Sequence, residues 1–395
     1  MFTSTLNTVF VMVKVLVVGA GPAGTLSAIN LAEKAEITLI DQKKHVGFPT
    51  QCAGLISSDC YSRLKKYGVK KSKIKKIRGA LFFSPNGQYV EAEGKCSGVL
   101  IERKIFDQEL LIRASDYVKV EINTKFLGID GNRVILRKNT IEKAAFDYII
   151  GCDGVNSIVA KCFGFKRPEI LYAVQAELKF EAMYDDMVEI YFGKKYSDCF
   201  FSYAIPVDEF AKIGVISKSN VLERFKKLIN THPSITKRIN YCKVVELNVG
   251  SIPIGLINFV KDNVTLVGDS AGMVKPYTGG GIYYHLVAAE KLGQNFPNLS
   301  KYRLEYLREL GREYKIGMII YKLYSILDDE DYNMLVRKIK KYDLSELHMD
   351  RPSTLLKNPK LFAGLLNLKI LTKLFKSIMG SKFLNKYTSF PQFIY

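Results

Sequence analysis

The stretch KVLVVGAGPAG, Lys14 to Gly24, decides the fold together with the run Ile37–Ile40 that closes on Asp41. Lys14–Val18 is a short β-branched run of the kind that forms a buried strand. Gly19-Ala20-Gly21-Pro22-Ala23-Gly24 then spells a glycine turn, and Leu26, Ile29 and Leu31 continue in a helical pattern. A second strand delivers Asp41, 22 residues beyond Gly19. Gly19 permits the tight turn, Gly21 lets the backbone approach a pyrophosphate, and Gly24, with the small Ala23 beside it, lets the helix pack on the sheet. The helix N-terminus offers unpaired N–H groups and a partial positive charge to phosphates. A carboxylate at Asp41 can accept hydrogen bonds from a ribose diol. A glycine turn alone is weak evidence, but strand, helix, second strand and acid are all in register here. The unit reads as dinucleotide-binding, without separating FAD from NAD.

Two later segments extend that reading. Asp147–Ser157 is an apolar strand ending in an acid–glycine turn at Asp153-Gly154. Val264–Gly272 is another, and it carries Asp269 on through Pro276 to Gly279-Gly280-Gly281-Ile282 and a helix. Asp269 at such a strand end is placed to meet a ribityl hydroxyl, and the glycine run to bring backbone N–H groups to a ring system. Two ordinary strand-to-helix turns would look the same singly. The three motifs in this order would not.

With these motifs the chain resembles an FAD-dependent oxidoreductase of the para-hydroxybenzoate hydroxylase fold group, and within it the geranylgeranyl reductase family, over roughly residues 13–300. The resemblance implies an α/β architecture: a Rossmann-like FAD-binding domain, a β-sheet substrate domain and a helical C-terminal region. It implies flavin contacts from Arg103, in Ile101–Leu110, and from the loop Cys52-Ala53-Gly54. It also places Phe126 where the backbone meets the adenine. Phe201-Ser202-Tyr203-Ala204-Ile205-Pro206, with Gly214 eight residues on, resembles the family's aromatic-x-aromatic-x-Phe-Pro signature. Tyr203 stands where the family has Trp, and Ile205 where it has Phe. Alternation puts Phe201, Tyr203 and Ile205 on one face of a strand. That face reads equally as the wall of a prenyl cavity or as an ordinary packed sheet.

On this reading the FAD-binding domain comprises 1–76, 97–166 and 258–298. The substrate domain takes 77–96 and 167–257, and the helical region 299–395. Tyr302, Leu304, Tyr306, Leu307 and Leu310 open the helical part, and the acidic turn Asp328–Asp331 interrupts it. Further on, Leu361, Leu365, Leu368, Leu371, Phe375 and Ile378 share one helical face, and Lys369, Lys373 and Lys376 another. Such a helix suits an anionic membrane surface or packing on its own domain.

Composition narrows the partners. Of 395 residues, 58 are Lys or Arg and 39 Asp or Glu, giving a net charge of +19. Tyr61–Arg78 holds nine basic residues and no acid, and Arg351–Tyr395 holds eight and none, so the charge is concentrated in two places. Beside a prenyl-lipid pocket this fits anionic lipid better than nucleic acid. No apolar run reaches the roughly 20 residues that span a bilayer. The expected location is cytoplasmic, peripheral at the inner face of the cell membrane. Seven cysteines without paired spacing suggest neither a disulfide framework nor a metal site.

The resemblance implies reduction of C=C bonds in the geranylgeranyl chains of an archaeal-type phosphoglycerol ether lipid. Hydride would come from reduced FAD, and the electrons from NAD(P)H or a carrier protein such as reduced ferredoxin. Cys52 and Tyr203 are the candidate proton donors. The four histidines, 45, 232, 285 and 348, read as isolated and structural. A monooxygenase of the same fold is the rival enzyme. A tryptophan-dependent halogenase signature is excluded by the absence of Trp. An iron–sulfur dehydrogenase is opposed by the lack of any Cys after Cys242.

Overall fold

The computed structural model describes residues 12–49, 52–359 and 370–374, with the backbone alone for 240–244. β1 (Lys14–Val18), α1 (Pro22–Leu31) and β2 (Glu36–Ile40) form the front unit. β3 (Leu55–Ser57) and α2 (Ser58–Leu64) lead to a long ribbon, β4 (Lys73–Phe83) with β5 (Tyr89–Ile101). α3 (Arg103–Ser115) returns the chain to β6 (Lys119–Glu121). A meander of β7 (Lys125–Asp130), β8 (Arg133–Arg137) and β9 (Ile141–Ala145) precedes β10 (Tyr148–Gly151) and α4 (Ile158–Cys162). Next come β11 (Glu169–Phe180), β12 (Met187–Tyr191), β13 (Ser202–Val207), β14 (Phe210–Ser217), α5 (Val221–Thr231) and β15 (Ile239–Ile254). β16 (Val260–Lys261), β17 (Val264–Leu266), α6 (Ile282–Asn295), α7 (Leu299–Ile326) and α8 (Asp329–Ile339) complete the order.

The first sheet runs β16-β17-β10-β1-β2-β6, parallel except at β16. β1 lies inside it with a partner on each side, so Val15–Val18 are all buried and the strand reads as an unbroken apolar run. β10 and β17 are its neighbours on one side. Their C-terminal ends therefore bring Asp153 and Asp269 to the same edge as the glycine turn. α1 and α6 pack against each other over this sheet.

The second sheet runs β15-β11-β14-β13-β12-β4-β5-β3, with register shifts in the β11–β15 and β4–β5 pairings. Ala204 and Tyr191 point to a core closed by Phe225 and Leu228 of α5. Phe201, Tyr203 and Ile205 point the other way, toward Val274 and Tyr321. The sheet is wider than the sequence boundaries at 77 and 96 suggest: the ribbon begins at Lys73, paired with Ile101. Lys73, Lys76 and Arg78 are exposed while Ile77, Leu81 and Phe83 are buried, so a half-covered strand lies inside what reads as a basic run.

In the helical region Asp328 and Asp331 form a reciprocal capping box that starts α8. Most of the amphipathic pattern Leu361–Ile378 lies outside the described residues. Within 370–374, Lys373 Nζ pairs with Asp328 at 2.6 Å and with Asp331, so the acidic turn neutralises it. Leu371, expected on the packed face, is exposed, and Ile370 is buried instead. Among the described residues, no helix is long and apolar enough to cross a membrane.

Candidate active site

The glycine turn is closely packed at two of its glycines and open at the third. Gly19 has φ +102°, and a Cβ there would stand 2.4 Å from the Cys152 carbonyl oxygen. A Cβ on Gly24 would stand 1.8 Å from the Gly19 oxygen, so helix and turn interlock. Gly21 differs: a Cβ there would meet nothing within 4 Å. It caps α1 with no side-chain hydrogen bond, Pro22 follows at the first helical position, and no acid occupies the first turn. Asp41 reaches back to this turn, accepting the Ala20 N–H at 2.8 Å and the Lys43 N–H at 2.8 Å. Phe126 is buried on β7, two residues after Thr124, whose N–H donates to the Asp41 carbonyl oxygen at 2.8 Å.

A second helix N-terminus faces the same edge. α6 begins at Ile282 with Gly281 as an uncapped N-cap and no acid in its first turn. Asp269 Oδ1 stands 3.3 Å from His285 Nε2 on the first turns of α6. That ring is buried, and both of its nitrogens lack a hydrogen bond. The sequence gives no sign of this, because Asp269 and His285 come together only through the fold. Asp153 is placed differently from Asp269. It accepts from Ser157 Oγ (2.5 Å) and from the N–H groups of Ile158 (2.7 Å) and Val159 (3.1 Å), so it caps α4. Burial raises its carboxyl, and these bonds oppose the shift.

An open cradle at Gly21, two helix N-termini free of acids, a carboxylate at a strand end and a buried imidazole without a hydrogen bond are residues that would suit an FAD.

Beyond that edge lies a cavity of about 780 Å³ with an almost wholly apolar wall, within the size range of ligand sites. Phe201, Tyr203 and Ile205 line it, as do Cys52, Ala53 and Gly54, and it reaches Gly279 and Gly280. Pro206 and Gly214 do not. Gly214 contributes space: a Cβ there would fall 2.3–2.7 Å from the Tyr203 ring. Arg103 opens α3 and is held by Asp107 at 2.9 Å. Burial works against its charge, but Asp107 and then Cys52 outweigh it, so the guanidinium stays protonated. Tyr203 OH donates to Gln175 Oε1 at 2.9 Å, and both side chains are buried. Burial, and after it Cys52, push the Tyr203 hydroxyl well above its ordinary range. Tyr203 is thereby a poor acid.

Sequence reasoning missed one further group. Lys275 and Asp350, 75 residues apart, form a buried ion pair at 2.7 Å in the cavity wall. Ser57 Oγ donates to the other Asp350 oxygen. His348, taken as isolated, accepts the Asp350 N–H at Nδ1 (3.0 Å) and meets Asp59 at Nε2 (2.9 Å).

The Tyr203–Gln175 bond is testable alone. Tyr203→Phe strands a buried amide oxygen and is expected to cost about 1–3 kcal/mol in urea unfolding. The Tyr203→Phe/Gln175→Leu double variant, which removes both partners, is expected to recover most of it.

Fold and site together define an FAD-dependent oxidoreductase. A scan against protein-family models returns no match. Among curated proteins, a digeranylgeranylglycerophospholipid reductase of Methanocaldococcus jannaschii is 30% identical over 331 residues, 76% of this chain and 82% of the relative. An uncharacterised protein of the same organism is 29% identical over 371 residues, 86% of this chain and 93% of its own. The chain belongs to the digeranylgeranylglycerophospholipid reductase family. Among solved structures, a geranylgeranyl bacteriochlorophyll reductase-like protein of Thermoplasma acidophilum shares the fold, with a TM-score of 0.77 at 20% identity over 89% of this chain and 100% of that one.

Proposed function

We propose that this protein hydrogenates isolated C=C bonds in the geranylgeranyl chains of archaeal-type ether phospholipids. The observation that carries the proposal is the apolar cavity running from Phe201, Tyr203 and Ile205 to the Cys52–Gly54 loop and the glycines before α6. An unactivated alkene offers no polar handle, so the protein's contribution is positioning in a dry site. When bound, FAD supplies the hydride. The wall of Phe201, Tyr203 and Ile205 holds the chain and excludes water. The Cys52 sulfur carries the proton for the second alkene carbon, with the Arg103 guanidinium beside it to stabilise the thiolate left behind. Ile319, Leu356 and Leu371 both line the cavity and are exposed. This apolar rim suits uptake of the lipid at a membrane surface. NAD(P)H or a reduced carrier such as ferredoxin supplies the electrons in this scheme.

The test is to reduce the purified protein with dithionite and incubate it with digeranylgeranylglycerophospholipid. Each turnover is expected to add two hydrogens to the lipid, read by mass spectrometry. An unchanged lipid mass refutes the proposal. Uptake of oxygen into the lipid under air points to the monooxygenase instead.

A further inference from the structure

The basic run Tyr61–Arg78 is not uniformly solvated. Arg63 and Lys66 both pair with Glu290. Lys75 Nζ donates to the Asp185 carbonyl oxygen at 2.5 Å, and Arg78 is held by Asp186 and Glu93. Lys65, Lys73 and Lys76 have no carboxylate partner among the described residues, and all three line one cleft of about 560 Å³. The hydroxyls of Ser58, Ser62 and Ser97 line it too. Ser58 Oγ and Ser97 Oγ stand 3.1 Å apart. The cleft's own acid, Asp186, is paired with Arg78, which leaves the three lysines of the cleft without a carboxylate partner among the described residues. Like charges gathered around a concavity repel, and a bound anion relieves that repulsion.

We propose that this cleft binds a phosphate-bearing ligand. Three lysines and three serine hydroxyls lining one cleft match a multiply charged oxyanion, a phosphomonoester or pyrophosphate, better than a singly charged carboxylate. Lysines act there as point charges and impose no bidentate geometry. The cleft is separate from the apolar cavity but backs onto it through a single ribbon. On β4 and β5, Arg78 and Ser97 line the cleft while the adjoining Gly79 and Cys96 line the cavity. The phosphate has two possible sources, a free phosphate compound or the headgroup of a lipid. The headgroup source alone rests on the prenyl-lipid reading; the anion site stands without it.

The experiment uses the full-length protein as purified, with its flavin, in calorimetric titrations against inorganic pyrophosphate and against monomeric dihexanoyl phosphatidic acid. Binding of at least one probe is expected. The Lys65→Ala/Lys73→Ala/Lys76→Ala variant is expected to weaken it roughly 30-fold, about threefold per exposed charge. Replacing the same three lysines by Arg is expected to retain it. Lys70 and Lys71 share the basic run; their backbone N–H groups donate to Glu109, their side chains pair with no carboxylate among the described residues, and they do not line the cleft. Lys70→Ala/Lys71→Ala therefore serves as the control and is expected to stay within about twofold. Pyrophosphate binding lost in the triple variant supports the site with a free phosphate source. Phosphatidic acid binding lost there, with pyrophosphate silent, supports it with a headgroup source. All three lysines are exposed, so unchanged flavin absorbance and thermal midpoint separate lost binding from lost folding. Absence of binding to either probe, or equal loss in the triple and control variants, overturns the proposal. Neither result bears on the hydrogenation test, which reads the lipid chains.

Discussion

Gly21→Asp is expected to yield a folded, colourless protein. The backbone at Gly21 is extended, with φ −70° and ψ −177°, a conformation open to any residue. A Cβ there meets nothing within 4 Å, so the fold imposes no steric cost. The position is the N-cap of α1, where Asp is among the preferred residues and Gly is slightly worse. The new carboxylate would accept the free N–H groups of the first turn, and the apo protein should hold or gain a few tenths of a kcal/mol. Those N–H groups are the ones a pyrophosphate needs. A negative charge about 5 Å from a phosphate, at an effective dielectric near 20, costs on the order of 3 kcal/mol, or a few hundredfold in affinity. Flavin absorbance of the purified variant, then fluorescence titration of the apo protein with FAD, measure this. Retention of stoichiometric FAD would remove the glycine turn from the cofactor site. Gly24→Ala makes the contrast, because its Cβ would stand 1.8 Å from the Gly19 oxygen and folding should fail with binding.

This contrast shows what was legible in the chain. Both glycines are plain in the sequence, and so are Asp41 and the face carrying Phe201, Tyr203 and Ile205, because local geometry with period two or 3.6 dictates them. What stayed hidden depends on distant partners. His285 looks like one polar residue on a buried helix until Asp269 is brought beside it. Asp153 matches a cofactor acid by spacing, yet its oxygens go to the start of α4, four to six residues away. The Lys-rich opening of β4 hides a strand because none of Lys73–Lys76 is buried and alternation begins only at Ile77. Lys373 fits a polar helix face by periodicity, but the acidic turn at Asp328 and Asp331 claims it.

The same distance effect produces the largest expected stability loss. Asp350→Ala removes one member of a pair in which Lys275 and Asp350 are 4% and 1% exposed. Among the described residues, Lys275 would keep only the Met349 carbonyl oxygen, at 3.3 Å, as partner for its ammonium. Ser57 Oγ would lose its acceptor. Breaking one side of a buried ion pair costs about 3–5 kcal/mol, because the remaining charge is left uncompensated in a low dielectric. The pair ties the segment around His348 and Met349 to the loop preceding the glycines of α6, since the Lys275 N–H also donates to the Gly280 carbonyl oxygen at 3.1 Å. The loss should therefore reach the cofactor, with FAD released at lower urea than in the parent protein. Lys275→Met/Asp350→Leu replaces the pair by apolar groups of similar size and is expected to restore most of the stability. A double variant as unstable as Asp350→Ala would mean that the loop depends on these groups for more than charge balance. A single variant costing under about 1 kcal/mol, the scale of an exposed pair, would place Lys275 in contact with water.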